Sequence, residues 1–296
     1  MLRSWKLGTA FGIGIYVHWS FLLLPAWALL RSLGQEGLTL ADYAVTAGFA
    51  LASLFAVFGC VVLHELGHAL TARRFGIPTR DITLYPIGGV ARLERMSEKP
   101  WEEFWIAVAG PAVNLLIAGL LLAALVVAGP LTQVVALPAL GLVFLYYLMM
   151  INVFLALFNL LPAFPMDGGR VLRALLALRL GHLRATQAAV NVGLVVAVLM
   201  GSAGLVYFHN PMLILIAAFV FFAGQQELAA VRYREAQRWT GNSWEGPFSS
   251  RLEEEYDDRP SEPVPPPPPK VYLWDPNTRR WVEQRPLRPI PPVRGY

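Results

Sequence analysis

The sequence predicts an all-α polytopic membrane protein with six transmembrane helices, a small β-hairpin after the second span, and a disordered proline-rich C-terminal tail. Of the 296 residues, 56% are hydrophobic and only 15% are charged, which is too apolar for an ordinary soluble domain. Long apolar runs recur until residue 225, and the composition then turns polar and rich in proline. We therefore expect a membrane domain over residues 1–225, an interfacial or cytoplasmic helix and linker over 226–248, and a cytoplasmic tail over 249–296.

The six predicted spans are apolar runs separated by polar or proline-containing connections. A transmembrane helix needs about 20 mostly apolar residues to cross the hydrocarbon core. Three glycines weaken a helical prediction for residues 7–15, which we interpret as an interfacial segment leading into the first span. The predicted spans cover residues 17–30, 43–72, 105–128, 137–161, 188–208 and 211–223.

The connection between the second and third spans contains the segment DITLYPIGGVARLE. Its β-branched and aromatic residues flank Gly88 and Gly89, a pattern that predicts a small hairpin. A free strand edge at Gly88, Gly89 and Val90 could pair with an extended peptide. The alternative is a plain connecting loop.

The C-terminal region contains a run of five prolines, from Pro265 to Pro269, which is typical of a polyproline II segment. Beyond it, VYLWDPNTRRWVEQ has a turn sequence at its centre and indicates a lone hairpin or a docking peptide. Two isolated strands are only marginally stable in water. We therefore predict a tail that is mostly without fixed structure.

Lys and Arg residues fall on alternate connections, which predicts how the chain is oriented in the bilayer. Two precede the first span, six lie between the second and third, four lie between the fourth and fifth, and eleven follow Gln225. Only Arg31 lies on the opposite side. Because cytoplasmic loops retain positive charge, we predict a multi-pass protein of the cell membrane with both termini in the cytoplasm. No isolated basic patch indicates a nucleic-acid partner.

The segment VVLHELGHALTARR ends the second predicted span and carries the strongest chemical signal. On a helix, His64 and His68 project from one face about one turn apart, so that both can bind a single metal ion. Glu65 lies beside them, where it can accept a proton from an attacking water. An ion pair of Glu65 with Arg73 or Arg74 is the alternative. The motif predicts half of a catalytic zinc site.

A catalytic zinc site needs at least a third protein ligand. The segment NLLPAFPMDGGR follows the fourth span, and its prolines and glycines predict a helix break with a tight backbone. Asp167 is thereby placed at the membrane edge, where an ionised carboxylate is costly unless a cation compensates it. It is the best candidate for the third ligand, although Arg170 could instead form an ion pair with it.

Three asparagines fall within predicted spans: Asn114, Asn152 and Asn159. The default role of an amide in a span is to form hydrogen bonds between helices. An amide close to the metal could instead donate to an oxyanion, and Asn159 is the best placed for that because it precedes Asp167 by eight residues. The single cysteine, Cys60, is expected to pack in the apolar interior.

The combination of HELGH, PIGGVARLE, AGPAVN and NLLPAFPMDGGR resembles the site-2 protease family of intramembrane zinc metalloproteases. The resemblance covers residues 11–225. It implies that His64, His68 and Asp167 bind one zinc ion, that Glu65 is the general base, and that Asn159 contacts the oxyanion or positions substrate. It also implies that the Gly88–Gly89 hairpin offers its edge to substrate. For Asn114 and Asn152 the expectation from the residues themselves is polar support between helices.

The resemblance implies a zinc-dependent intramembrane endopeptidase that cleaves the transmembrane segment of a membrane-anchored protein, as in regulated intramembrane proteolysis. The expected partners are a single-span membrane substrate and the lipid bilayer. A non-proteolytic scaffold with a vestigial metal site is one alternative, and a metal transporter is another. We expect neither a PDZ-like insert between the second and third spans nor paired CBS domains after Gln225.

Overall fold

The computed structural model describes residues 4–33, 37, 39–86, 88–94, 97, 99–131, 139–242, 272–275 and 280–283. The chain divides into two compact units, Met1–Gly241 and Asn242–Tyr296. The first unit is mostly helical and includes one small sheet. Its elements in chain order are β1 Ser4–Ala10, β2 Ile13–His18, a 3₁₀ helix Trp19–Leu22, α1 Leu23–Leu33, α2 Leu40–Arg74, β3 Thr79–Tyr85, β4 Gly88–Leu93, α3 Pro100–Leu131, α4 Ala139–Asn159, α5 Asp167–Leu180, α6 His182–Val206 and α7 Pro211–Asn242.

Five helices among the described residues are long and apolar enough to cross a membrane, one fewer than the six predicted spans. They correspond to the second to sixth predictions, with boundaries that differ by several residues. The spans are Leu40–Arg74, Pro100–Ala128, Leu140–Asn159, His182–Val206 and Pro211–Gln237.

The predicted first span, residues 17–30, is divided between the end of β2, the 3₁₀ helix and the short α1. The 3₁₀ helix and α1 together extend about 25 Å, which is less than the hydrocarbon thickness. The 3₁₀ helix begins beside the middle of α2, where the Phe21 and Phe58 rings meet edge to face at 4.6 Å. From Phe58 back to Leu40, α2 extends about 27 Å. The 3₁₀ helix and α1 together are therefore about as long as the part of α2 that lies beside them.

A four-stranded sheet in the order β1-β2-β3-β4 replaces the lone hairpin of the prediction. The predicted hairpin is present as β3 and β4, but β2 pairs in parallel with β3 and β1 pairs antiparallel with β2. The fold class is therefore not purely α-helical. Ile13 and Ile82 pack against Leu66 and Ala69 of α2, which fixes one face of the sheet on the helix that carries the HELGH motif. Both β1 and β4 are edge strands.

The predicted break after the fourth span is a tight turn over residues 160–166, followed by α5, which the sequence analysis did not predict. A Cβ atom at Gly168 would overlap the carbonyl oxygens of Leu160 and Leu161, and one at Gly169 would lie 2.7 Å from the Ala163 carbonyl carbon. The two glycines therefore let α5 begin directly against the turn that precedes it.

In the second unit, the described strands are β5 Tyr272–Asp275 and β6 Arg280–Glu283. They pair antiparallel with Leu273 opposite Val282, at the position where the sequence indicates a short hairpin. The proline-rich segment predicted to be disordered lies outside the described residues.

Candidate metal centre and active site

His64 and His68 lie on the last turns of α2 and are both buried, with 6% of each residue exposed. Their spacing of four residues places the rings on one helical face, 4.7 Å apart between centroids. The two Nε2 atoms are 3.1 Å apart. Both histidines therefore direct the same ring nitrogen to one point.

Asp167 is the first residue of α5 and reaches the same point from the opposite side. Its Oδ2 lies 3.2 Å from Nε2 of His64 and 3.1 Å from Nε2 of His68. Burial alone would raise the pKa of Asp167, but the facing imidazoles hold it below its ordinary value. Within the described residues no ion pair joins Asp167 to Arg170, so the alternative that these two neutralise each other gains no support.

The arrangement of these donors fits a zinc ion. His64, His68 and Asp167 form a group whose donor atoms all lie within 4.8 Å of one another, and two imidazoles with a carboxylate are a donor set of catalytic zinc sites. The Nδ1 atom of His68 lies 2.6 Å from the Ile106 carbonyl oxygen, which holds this nitrogen as the donor and leaves Nε2 for a metal.

Gly110 gives independent evidence for a compact site. A Cβ at this position of α3 would overlap Nε2 of His68 and would lie 2.7 Å from Nε2 of His64. On α2, a Cβ at Gly67 would lie 2.9 Å from the Ala109 carbonyl oxygen. The two helices approach closely beside the candidate metal ligands, as small residues permit in membrane proteins.

Glu65 lies next to the candidate metal ligands and lines a cavity of about 1110 Å³, whose wall also includes His64, His68 and Asp167. A Cβ at Gly89 of β4 would lie 2.8 Å from Cγ of Glu65, so the edge strand passes directly over this side chain. In the described part of the chain, no ion pair joins Glu65 to Arg73 or Arg74, and Arg73 donates instead to the Phe11 carbonyl oxygen. The carboxylate is therefore available to the cavity.

The predicted hairpin residues Gly88, Gly89 and Val90 line the same cavity as Glu65. So does Asn159, the last residue of α4, whose Nδ2 donates to the Leu155 carbonyl oxygen at 3.0 Å. This bond leaves Oδ1 and the second amide hydrogen of Asn159 for other contacts.

Asn114 and Asn152 are fully buried away from the cavity lining. Asn152 donates to the Leu148 carbonyl oxygen at 2.8 Å and to Sγ of Cys60 at 3.3 Å, which joins α4 to α2. Neither polar atom of the Asn114 side chain has a partner among the described residues. Asn152 thus has an interhelical contact, whereas the role of Asn114 as polar support stays a prediction.

Several residues of the site were missed by the sequence analysis. The Ile106 carbonyl could not be found because a main-chain acceptor has no sequence signature. Gly110 lies in AGPAVN, and the available signal for it was the presence of glycines, among them Gly67 and Gly110, in two successive apolar runs. The cavity wall also includes Arg80, Arg92, Glu94, Phe158, Arg170 and Phe219.

Comparison with known proteins defines the class to which this fold and site belong. The model for Peptidase family M50 matches residues 52–137 and 127–200, which include all three candidate metal ligands. The chain belongs to Peptidase family M50, the site-2 protease family. The family suggested by the sequence motifs is thereby confirmed.

Individual relatives agree with this assignment. The structure titled Site-2 Protease from Methanocaldococcus jannaschii is 34% identical, covers 76% of this chain and 95% of that chain, and superposes with a TM-score of 0.51. A protein of the same organism named a zinc metalloprotease is 36% identical over 78% of this chain and 62% of its own length. Stage IV sporulation protein FB of Bacillus subtilis is 31% identical over 48% of this chain and 46% of its own length. The chain thus spans about half to three fifths of these curated relatives.

Proposed function

We propose that this protein is a zinc-dependent intramembrane endopeptidase that cleaves the transmembrane segment of a single-span membrane protein, as in regulated intramembrane proteolysis. The observation that carries the proposal is the convergence of His64, His68 and Asp167 on one point beside Glu65, within a cavity. One bound zinc ion would supply Lewis-acid polarisation of the scissile carbonyl and of the attacking water.

The protein's own groups divide the remaining work. Glu65 accepts the proton of the attacking water and passes it to the leaving amine. Asn159 lies on the cavity wall and has a second amide hydrogen that is not used in its bond to Leu155. In this proposal it contacts the carbonyl oxygen or positions the substrate. His68 keeps the orientation that the Ile106 carbonyl gives it.

The substrate is proposed to pair with β4. This strand is an edge of the sheet, lines the cavity through Gly88, Gly89 and Val90, and passes over Glu65. An edge strand presents unpaired backbone groups that an extended peptide can satisfy. A substrate helix has its carbonyls already bonded, so local unwinding onto β4 would both expose the scissile bond and compensate its backbone groups.

The proposed topology places the metal centre toward the cytoplasmic side of the cell membrane, with both termini in the cytoplasm. Parallel pairing of β2 with β3 returns the chain to the same depth after α1 and α2. The 3₁₀ helix and α1 therefore lead the chain away from this depth and α2 leads it back, so this proposal counts the 3₁₀ helix and α1 as a first crossing in addition to the five long helices. Together with the Lys and Arg distribution, this favours the same side for the N-terminus and for the connection between α2 and α3.

The proposed activity is tested by removing and restoring the metal. We expect the purified protein in lipid vesicles to cleave a co-reconstituted single-span substrate, to lose this activity on treatment with a strong chelator, and to regain it when zinc is added. Product analysis by mass spectrometry locates the cut, which we expect inside the hydrophobic segment. Cleavage that persists after complete zinc removal would exclude the metal mechanism.

Docking on β4 is tested by disulfide cross-linking. Val90 is 47% exposed, and the single native cysteine, Cys60, is buried, so Val90→Cys introduces one accessible thiol. In a catalytically inactive background, we expect oxidation to join it to cysteines placed singly along the substrate near the cut. Thr9→Cys on β1, the opposite edge of the sheet, is the matched control. Preferential cross-linking to Thr9→Cys would place the substrate at the wrong edge for this proposal.

The alternatives have less support. A scaffold with a vestigial site has no need for a carboxylate beside the metal ligands, yet Glu65 lies there and faces the cavity. A transporter would need further ligating groups along a path. In the described ranges, His64, His68 and Asp167 are the one group of three or more His, Cys, Asp or Glu side chains that could hold a metal ion.

A further inference from the structure

A buried ionic cluster lies beside the metal centre and has no part in the proposed chemistry. Arg173 of α5 is 2% exposed and binds two carboxylates from different helices. Its Nε donates to Oε1 of Glu103 on α3 at 2.8 Å, and Nη2 donates to the same oxygen at 2.5 Å. Its Nη1 donates to Oε1 of Glu227 on α7 at 2.5 Å. We call Arg173, Glu103 and Glu227 the arginine cluster.

Stability alone does not account for such a cluster, because the cost of desolvating three charges roughly cancels their attraction and an apolar replacement of similar volume is often as stable. Burial by itself lowers the pKa of Arg173, but the two carboxylates raise it above its ordinary value, so the guanidinium stays charged. The Arg173 guanidinium also lies 5.0 Å from the ring centroid of Phe164, in the turn that leads to Asp167. The guanidinium is planar and its N–H donors have fixed directions, so it is suited to holding helices at a set distance and angle.

On α3, Glu103 lies within one to two helical turns of the residues that are close to the histidine ligands. Glu103 precedes Ile106 by three residues, and the Ile106 carbonyl orients His68. Gly110 lies one turn further along α3, and a Cβ added there would meet Nε2 of both histidines. On α5, Arg173 follows Asp167 by six residues. The bond between Arg173 and Glu103 therefore connects α5, which carries Asp167, to α3, which packs against α2 and orients His68 of the histidine pair.

The α7 side of the cluster leads to the cavity wall instead. Glu227 follows Phe219 by eight residues, about two turns of α7, and Phe219 lines the cavity. None of the metal ligands lies on α7. The Glu227 contact can therefore affect the space available to substrate without changing the donor atoms of the metal.

We propose that Arg173 is a positioning residue whose two contacts have separate effects. The Glu103 contact holds the metal ligands in position, and the Glu227 contact holds in position the part of the cavity wall that contacts substrate. The effect of the Glu103 contact on the metal ligands is inferred from the geometry of the candidate metal centre and does not depend on the proposed function. The substrate part rests on the proposed function, since it concerns the KM for a membrane peptide.

The test uses Glu103→Gln and Glu227→Gln, which keep the size of each side chain and remove its charge. We expect Glu103→Gln to weaken zinc affinity about 10-fold, a typical effect of losing a group that supports metal ligands, and to change the visible absorption spectrum of the Co²⁺-substituted protein. We expect Glu227→Gln to leave zinc affinity and the Co²⁺ spectrum at wild-type values while raising KM for the single-span substrate several-fold. Arg179→Gln, which alters an exposed arginine of the same helix, is the control and should change neither.

The outcomes separate this inference from the proposed function. If the wild-type protein fails to cleave any membrane substrate, the protease proposal fails, but the zinc and Co²⁺ measurements still judge the Glu103 contact. If wild type cleaves and both variants only lower Tm, with zinc affinity, Co²⁺ spectrum and KM unchanged, the cluster is structural and the inference is overturned. Equal losses of zinc affinity in the two variants would also overturn it, because the contacts would then have no separate effects.

Discussion

Glu65→Gln is expected to slow peptide-bond hydrolysis by about 10² to 10⁴-fold while leaving zinc bound, since general-base catalysis contributes roughly that factor. Gln has nearly the same shape as Glu, and Glu65 supplies none of the converging donor atoms. Its removal therefore changes proton transfer and not metal binding. Cleavage of a single-span substrate in vesicles gives the rate, and zinc per protein measured by mass spectrometry gives the metal content.

The matched control is Glu235→Gln, which neutralises a carboxylate on α7 that lies outside the cavity lining. It should cleave at the wild-type rate. Wild-type cleavage by Glu65→Gln would contradict the assignment of the base, whereas loss of zinc in this variant would mean that Glu65 supports the metal centre.

Gly110→Ala is expected to abolish tight zinc binding. In an ordinary helix this change is mildly favourable, by about 1 kcal/mol, because alanine is a better helix former than glycine. Here the added methyl group would overlap the ligand nitrogens of His68 and His64, and α3 cannot withdraw without separating from Gly67 of α2. The purified variant should contain little zinc and show no metal-dependent cleavage.

Gly119→Ala on the same helix is the control, because a Cβ at Gly119 would meet nothing within 4 Å. We expect this variant to bind zinc normally and to keep or slightly raise the Tm. A Gly110→Ala protein with full zinc content would show that the ligands sit elsewhere than the geometry indicates.

The geometry of the candidate site could be predicted in part from the sequence, because residue spacing along a helix determines which side chains share a face. A separation of four residues places His64 and His68 on one face in any α-helix, and a carboxylate beside two glycines at a helix break is costly without a cation. The second to sixth spans could also be predicted, since a long continuous apolar run has few alternatives, whereas the shorter run of residues 17–30 is divided between β2, the 3₁₀ helix and α1. Asp167 is the best candidate for the third ligand from its position at the membrane edge, with an ion pair to Arg170 as the alternative. The family resemblance implies the same role, and the structure brings Asp167 and the two histidines together across about a hundred residues.

The sheet and the arginine cluster could not be predicted because they depend on partners far apart in the chain. Residues 13–18 contain too many small and β-branched residues for a firm helical prediction, but only pairing with β3 makes them a strand. The segment that begins α5 mixes glycine, arginine and leucine and was interpreted as a connection. Its Arg173 is stabilised by Glu103 and Glu227, 70 and 54 residues away, which no local pattern indicates.

The parallel pairing of β2 with β3 also sets the order in which the protein can assemble during synthesis. β1 and β2 emerge first, but a two-stranded hairpin is only marginally stable by itself. Their permanent neighbour β3 becomes available after all of α2 has been made, so the N-terminal hairpin must wait while that helix enters the bilayer. Contacts between distant segments form late and slowly. The strand that passes over Glu65 is made only after the helix that carries Glu65, and the candidate site is complete only when Asp167 of α5, later still in the chain, joins the two histidines.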